Sequence, residues 1–210
     1  DYCCGGKHSL REACEAAGQT PSAVLAELQA LSAVASETPS PKAWLETSLT
    51  ELMDHIEATH HATIRAEVPR LADLLQKVLR AHGENHPELQ RVAGLFQALA
   101  ADLMPHLMKE EQILFPFIRG MEAGQAGEAC FHSVQGPIQV MEYEHDAVGS
   151  LFAELRTLTQ GYATPADGCV TYQALNQGLE ALERDTHLHI YLENHLLHPR
   201  AVALEARAHA

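Results

Sequence analysis

Two stretches of this 210-residue chain hold histidine and glutamate at one spacing inside a longer repeated frame. The first reads Asp102-Leu-Met-Pro-His106-Leu-Met-Lys-Glu110-Glu-Gln-Ile-Leu-Phe-Pro116, and the second Asp185-Thr-His-Leu-His189-Ile-Tyr-Leu-Glu193-Asn-His-Leu-Leu-His-Pro199. The matched Asp, His, Glu, Leu and Pro lie 83 residues apart, and His61 finds a counterpart in His145 at 84. Residues four apart on a helix share a face one turn from each other. His106 with Glu110, and His189 with Glu193, can therefore each chelate toward a common axis, joined there by His61 and His145. Four imidazoles and two carboxylates are few donors for two six-coordinate metals. The shortfall calls for bridging carboxylates, a bridging oxygen species and open positions for an outside ligand. Mixed nitrogen and oxygen donors with open positions suit iron and small diatomic gases. An all-carboxylate cage would suit magnesium or calcium, and a thiolate set structural zinc.

The other histidines are weighed by angle, at about 100° per residue. His198 falls roughly opposite His189 on its helix, and His187 and His195 lie off the same face. His55, His82, His86, His132 and His209 have no partner in the repeat and read as surface. His60 rivals His61, but His61 shares a stripe with Ile64, Val68, Leu71, Leu75 and Val78. Asp102, Asp185 and Glu57, each four residues before a chelating histidine, are the expected acceptors for the outer ring nitrogens. Glu111, one step round the helix from Glu110, is expected to matter little.

Four long helical patterns must carry these side chains. They run from about Ser48 to His82, from beyond Pro87 to about Ile118, from Pro137 to about Thr159, and from near Asp167 to near Ala206. Gly83, Gly120 and a glycine-rich loop over Gly120–Gly136 punctuate them. The spacing predicts an all-α chain with an antiparallel four-helix bundle over residues 43–210. Pro69 and Pro105 each remove an intrahelical donor and are expected to kink their helices. Ahead of the bundle, Ser9 with Glu12 marks a capping box, Gly18 a stop, and Thr20-Pro21 a second helix start. The proline-containing stretch Glu37–Lys42 reads as a linker, which makes residues 1–42 a small helical N-terminal domain with Cys3 and Cys4 in a tight loop.

Composition excludes several classes. A formal net charge of −14 disfavours nucleic acid phosphates as partners, and no apolar run approaches the roughly 20 residues that span a bilayer. Five cysteines, an odd number with no signal peptide before them, argue against a disulfide scaffold and for a reducing, cytoplasmic setting. Cys14, Cys130 and Cys169 show no pattern.

At these residues the chain resembles the hemerythrin-like superfamily, and more narrowly the repair-of-iron-centres di-iron proteins of bacteria under nitrosative stress. The resemblance rests on Asp1-Tyr-Cys-Cys-Gly-Gly-Lys7, on His106-x3-Glu110-Glu-Gln-Ile-Leu-Phe-Pro116, on Gly136-Pro-Ile with Met141-Glu-x-Glu-His145-Asp, and on His189-x3-Glu193-Asn. It implies two non-haem irons bridged by Glu110 and Glu193, with His61, His106, His145 and His189 as terminal ligands. It also implies a redox, nitrosyl-transfer or partner-binding role for Cys3 and Cys4, whose bland alternative is a pair of reduced thiols in a turn. Departures are visible: the family carries further residues before the double cysteine, so the N-terminal domain is expected to be incomplete, Pro105 directly precedes His106, and His198 stands where the second repeat usually has Phe.

The implied function is repair of iron–sulfur proteins damaged by nitric oxide or oxidative stress. The site could reduce nitric oxide to nitrous oxide as an enzyme, or donate iron to a damaged cluster or its scaffold. A hemerythrin-like module that binds oxygen or nitric oxide without turnover is the alternative. Nothing in the ligand set separates these, and neither the partner nor the oligomeric state is legible.

Overall fold

The computed structural model describes residues 9–32, 44–125 and 133–208. The double-cysteine loop, the linker Glu37–Lys42, Cys130, His132 and His209 lie outside them. All regular structure among the described residues is helical.

Two short helices come first. Ser9 and Glu12 form the anticipated capping box at the start of α1 (Leu10–Ala16), each satisfying the other's free backbone donor. Gly18 follows at φ +64°, a left-handed turn that glycine enters without strain, and α2 (Pro21–Ser32) begins on a proline. Leu10, Leu25 and Leu28 remain exposed on this hairpin.

The bundle has four long rods, three of them composite. The first joins α3 (Leu49–His55), a π-helical turn π1 (Ile56–His61) and α4 (Ala62–His82). The second joins α5 (Glu88–Lys109), π2 (Glu110–Leu114) and α6 (Phe115–Glu122). The third, α7 (Gln135–Leu158), is regular throughout. The fourth joins α8 (Val170–Leu192), π3 (Glu193–Leu197) and α9 (His198–Ala208). Gly120 sits within α6, two residues before its end, and Pro69 and Pro105 lie inside α4 and α5, which continue through them.

Packing follows the apolar stripes. The most extensive contacts pair α4 with α8 and α5 with α7. Gly178 lets the first pair close up, because a Cβ there would fall 2.5 Å from Leu71 Cδ2. The rods bury two separate apolar clusters. One gathers residues such as Ile64, Leu71, Leu99, Phe152 and Leu179, and the other residues such as Leu52, Ile56, Phe115, Ile138 and Leu197. Between these clusters lies a polar slice, and all six candidate ligands are in it.

Carboxylates from the far ends of the rods cap two helix starts. Glu122 accepts from the Leu49 and Thr50 N–H groups at 2.7 and 2.8 Å. Glu205, 83 residues later, accepts from Val134 N–H and the Ser133 hydroxyl, both at 2.8 Å. The repeat thus reaches beyond the chelating motif into the capping of the fold.

Candidate metal centre

His61 ends π1, Glu110 opens π2 and Glu193 opens π3. A π turn spends one extra residue per turn and rotates everything after it relative to an α-helix, a device common at functional sites. His106, His145 and His189 stand on regular α-helix in α5, α7 and α8. All six side chains are buried, none more than 2% exposed.

Their donor atoms form two overlapping sets, His61, His189, Glu110 and Glu193 in one, and His106, His145, Glu110 and Glu193 in the other. Within each set the atoms lie within 4.8 Å of one another. Both carboxylates belong to both sets, each turning one oxygen to either side. Glu110 Oε2 lies 3.3 Å from His61 Nε2 and 3.9 Å from His189 Nε2, while its Oε1 lies 3.0 Å from His106 Nε2. Glu193 Oε1 lies 3.1 Å from His189 Nε2 and its Oε2 3.1 Å from His145 Nε2.

These atoms are arranged for a cation rather than for one another. None of the four carboxylate oxygens has a well-directed hydrogen bond, although all are buried, a costly state without a counter-charge. The Nε2 atoms of His106 and His145 face each other at 3.0 Å, and those of His61 and His189 at 3.3 Å. Burial lowers the His106 imidazole's affinity for a proton, but Glu110 and Glu193 reverse this and push its pKa up to about 9. His61 is raised in the same way, against its burial, by Glu110 and Glu193. Burial and the neighbouring Glu193 charge push the Glu110 carboxyl up, yet His106 and His61 bring it below its ordinary value. His189 goes the other way, its burial outweighing the pull of Glu193 and Glu110. Two buried carboxylates facing imidazole lone pairs call for a counter-charge, and the donor set fits metal cations.

Outer hydrogen bonds fix three of the four rings, and they come from neighbouring rods. His61 Nδ1 lies 2.7 Å from Glu111 Oε1, His106 Nδ1 2.8 Å from Glu144 Oε2, and His145 Nδ1 2.9 Å from Asn194 Oδ1. Arg65 grips Glu111 through two bonds of 2.7 and 2.8 Å, and Lys109 pairs with Glu144. An acceptor on Nδ1 leaves the Nε2 lone pair directed at the metal position. The expected acceptors four residues upstream do not serve. Glu57 pairs with Arg119, Asp185 lies 3.0 Å from His60 Nδ1, and Asp102 lines a surface cavity beside Pro105 and Lys109. Glu111, expected to matter little, holds a ring.

Two histidines assigned lesser places are buried against the site. His60 is 1% exposed, and its ring lies parallel to that of His189 with centroids 5.8 Å apart. His198 is 2% exposed and parallel to His145 at 6.1 Å; burial holds its pKa down to about 4. The π3 turn explains His198: the residue it absorbs returns the helix by about 100°, bringing a side chain expected on the far face back against the cluster. Cys14 is buried in α1 and Cys169 is exposed before α8, both as free thiols.

A helical bundle closed around two overlapping histidine–carboxylate sets defines a protein able to bind metal cations. The profile of the hemerythrin HHE cation binding domain matches residues 52–201, and that of ScdA_N, a domain of unknown function, matches residues 1–32. The chain is 38% identical over 205 residues to the iron-sulfur cluster repair protein YtfE of Enterobacter sp. (strain 638), covering 98% of this chain and 88% of that protein. It is 38% identical over 202 residues to the protein of the same name from Yersinia pseudotuberculosis serotype IB (strain PB1/+), covering 96% and 86%. For that of Musicola paradisiaca (strain Ech703) the values are 37% over 206 residues, 98% and 88%. The chain belongs to the hemerythrin family, in the branch of iron–sulfur cluster repair proteins.

Proposed function

We propose that this protein holds two non-haem irons through His61, His106, Glu110, His145, His189 and Glu193 and uses them to repair iron–sulfur clusters. The observation that carries the reading is the sharing of both carboxylates. Glu110 and Glu193 each present one oxygen to either histidine pair, the disposition of bridging ligands in di-iron bundles. Bound iron supplies redox-active positions that could couple two nitric oxide molecules to nitrous oxide, or ferrous iron for a damaged cluster. The protein's part is to hold the Nε2 lone pairs inward through the bonds to Glu111, Glu144 and Asn194. The apolar clusters on both sides bury the slice away from bulk solvent, which strengthens each charge interaction within it.

Within this reading residues 43–210 are the metal-binding unit, and residues 1–42 bring Cys3 and Cys4 as thiols for exchange with a damaged protein. The family relationship supports repair over storage, since each relative cited above is named for cluster repair. The test is metal analysis of anaerobically purified protein, followed by addition of nitric oxide to the reduced form with headspace analysis. The expected results are about two irons per chain and formation of nitrous oxide. One tightly bound zinc would overturn the di-iron reading. Two irons without nitrous oxide would leave iron donation, checked by reactivation of a damaged iron–sulfur enzyme.

A further inference from the structure

The outer hydrogen bonds follow the internal repeat, and they fail at one position. Glu111 and Asn194 are 83 residues apart, and each accepts from the Nδ1 of a lone histidine, His61 and His145 respectively. Glu144 directly precedes His145 and accepts from His106 Nδ1. The equivalent residue, directly before His61, is His60, and it lies beside the equivalent ring, His189. Here the pattern breaks. His60 turns its Nδ1 to Asp185 Oδ1 at 3.0 Å and leaves its Nε2 without a hydrogen bond. His189 Nδ1, buried on the same face, has no hydrogen-bond partner among the described residues. Three ligand rings are therefore anchored from outside, and the fourth is held by packing alone.

We infer that the two metal positions differ in how readily they give up their ion, and that His60 makes the difference. The His106–His145 position has both rings anchored, whereas the His61–His189 position has only one. Loss of a single outer hydrogen bond costs a metal site about 10–100-fold in affinity, so the iron beside His189 is the exchangeable one. A donor of iron needs such an inequality, because one ion can leave while the second keeps the bundle charged and folded. His60 acts through His189 and is a positioning residue. The inference rests on the proposal that the six side chains hold two metals.

The experiment follows release of ferrous iron from the fully loaded full-length chain into excess bipyridyl, anaerobically and at fixed pH. Two phases of equal amplitude are expected, with rates separated by about tenfold or more. His60→Gln should slow the fast phase selectively, because its amide N–H can bond Asp185 while its carbonyl accepts from His189 Nδ1. Asn194→Ala should quicken the slow phase and leave the fast one. Loading to two irons is measured first, so a chain that never takes two overturns the di-iron reading itself. Two irons released in one phase would overturn the inequality, as would Asn194→Ala quickening the fast phase. Two phases unmoved by His60→Gln in a variant still loading two irons would remove His60 as its cause. If His60→Gln does not load, the Asn194→Ala arm decides whether the anchored position is the slow one.

Discussion

Glu111 shows how little a residue's own helix says about its work. It stands one step from Glu110 and about 100° round, off the chelating face, and reads as a solvated charge. In the fold it crosses to His61 on another rod and is itself gripped by Arg65. Glu111→Ala should therefore weaken iron binding by about tenfold or more, read by competition with a chelator, with the helical signal intact. Binding unchanged from the parent would show that the His61 ring is held by packing alone. The six candidate ligands were legible because a repeat of type and spacing needs no tertiary knowledge. Glu111, Glu144 and Asn194 were not, since their partners are set by how rods pack. The i−4 rule pointed instead to Glu57 and Asp185, which pair with Arg119 and His60, and to Asp102, which lines a surface cavity.

At the scale of elements, rod spans were readable to within a few residues, and the π turns were not. Hydrophobic periodicity averages over a single extra residue, so the pattern near 110–114 or 193–197 still passes for α-helix. The cost of that blindness was local: His198, placed opposite the site by uniform rotation, is buried against it. The paired caps were equally hidden, because Glu122 and Glu205 satisfy donors on distant segments. Glu122 makes a measurable contribution. Burial pushes its carboxyl up, but the bonds from Thr50 and Leu49 and the charge of Arg200 outweigh this and hold it below the ordinary carboxylate value. A depressed carboxylate stabilises the fold above its unfolded pKa and loses that contribution as pH falls through its folded value. Glu122→Gln should then lower stability at neutral pH, by about 1 kcal/mol at most once solvent screening is allowed for, seen in denaturant melts, with the gap closing as acid protonates the carboxylate. A gap unchanged at acid pH would mean that the charge is irrelevant.

The bundle is two helical hairpins that need each other. Each candidate metal position takes one histidine from each hairpin, His61 with His189 and His106 with His145, and one carboxylate from each. Bound ions would cross-link the halves and select the folded state by mass action. Removing them with a chelator should lower the thermal midpoint on the order of 10–20 °C, the shift expected when free metal stands about a hundredfold above the dissociation constant of each of two positions. Reloading should restore it. A midpoint indifferent to metal would show that the apolar clusters alone fix the assembly. Among the described residues no helix is long and apolar enough to cross a membrane.

The shared carboxylates have one more consequence, which concerns symmetry. Exchanging the two hairpins maps His61 onto His145, His106 onto His189 and Glu110 onto Glu193, so each metal position is carried onto the other. An arrangement of that kind is what a two-fold axis produces when a surface pairs with a copy of itself. A single hairpin sequence of half the length, dimerised about such an axis, already contains every donor atom of the pair. Joining two copies in one chain adds no ligand; it adds the freedom to make the halves differ, and His60 opposite Glu144 is where this chain has used it.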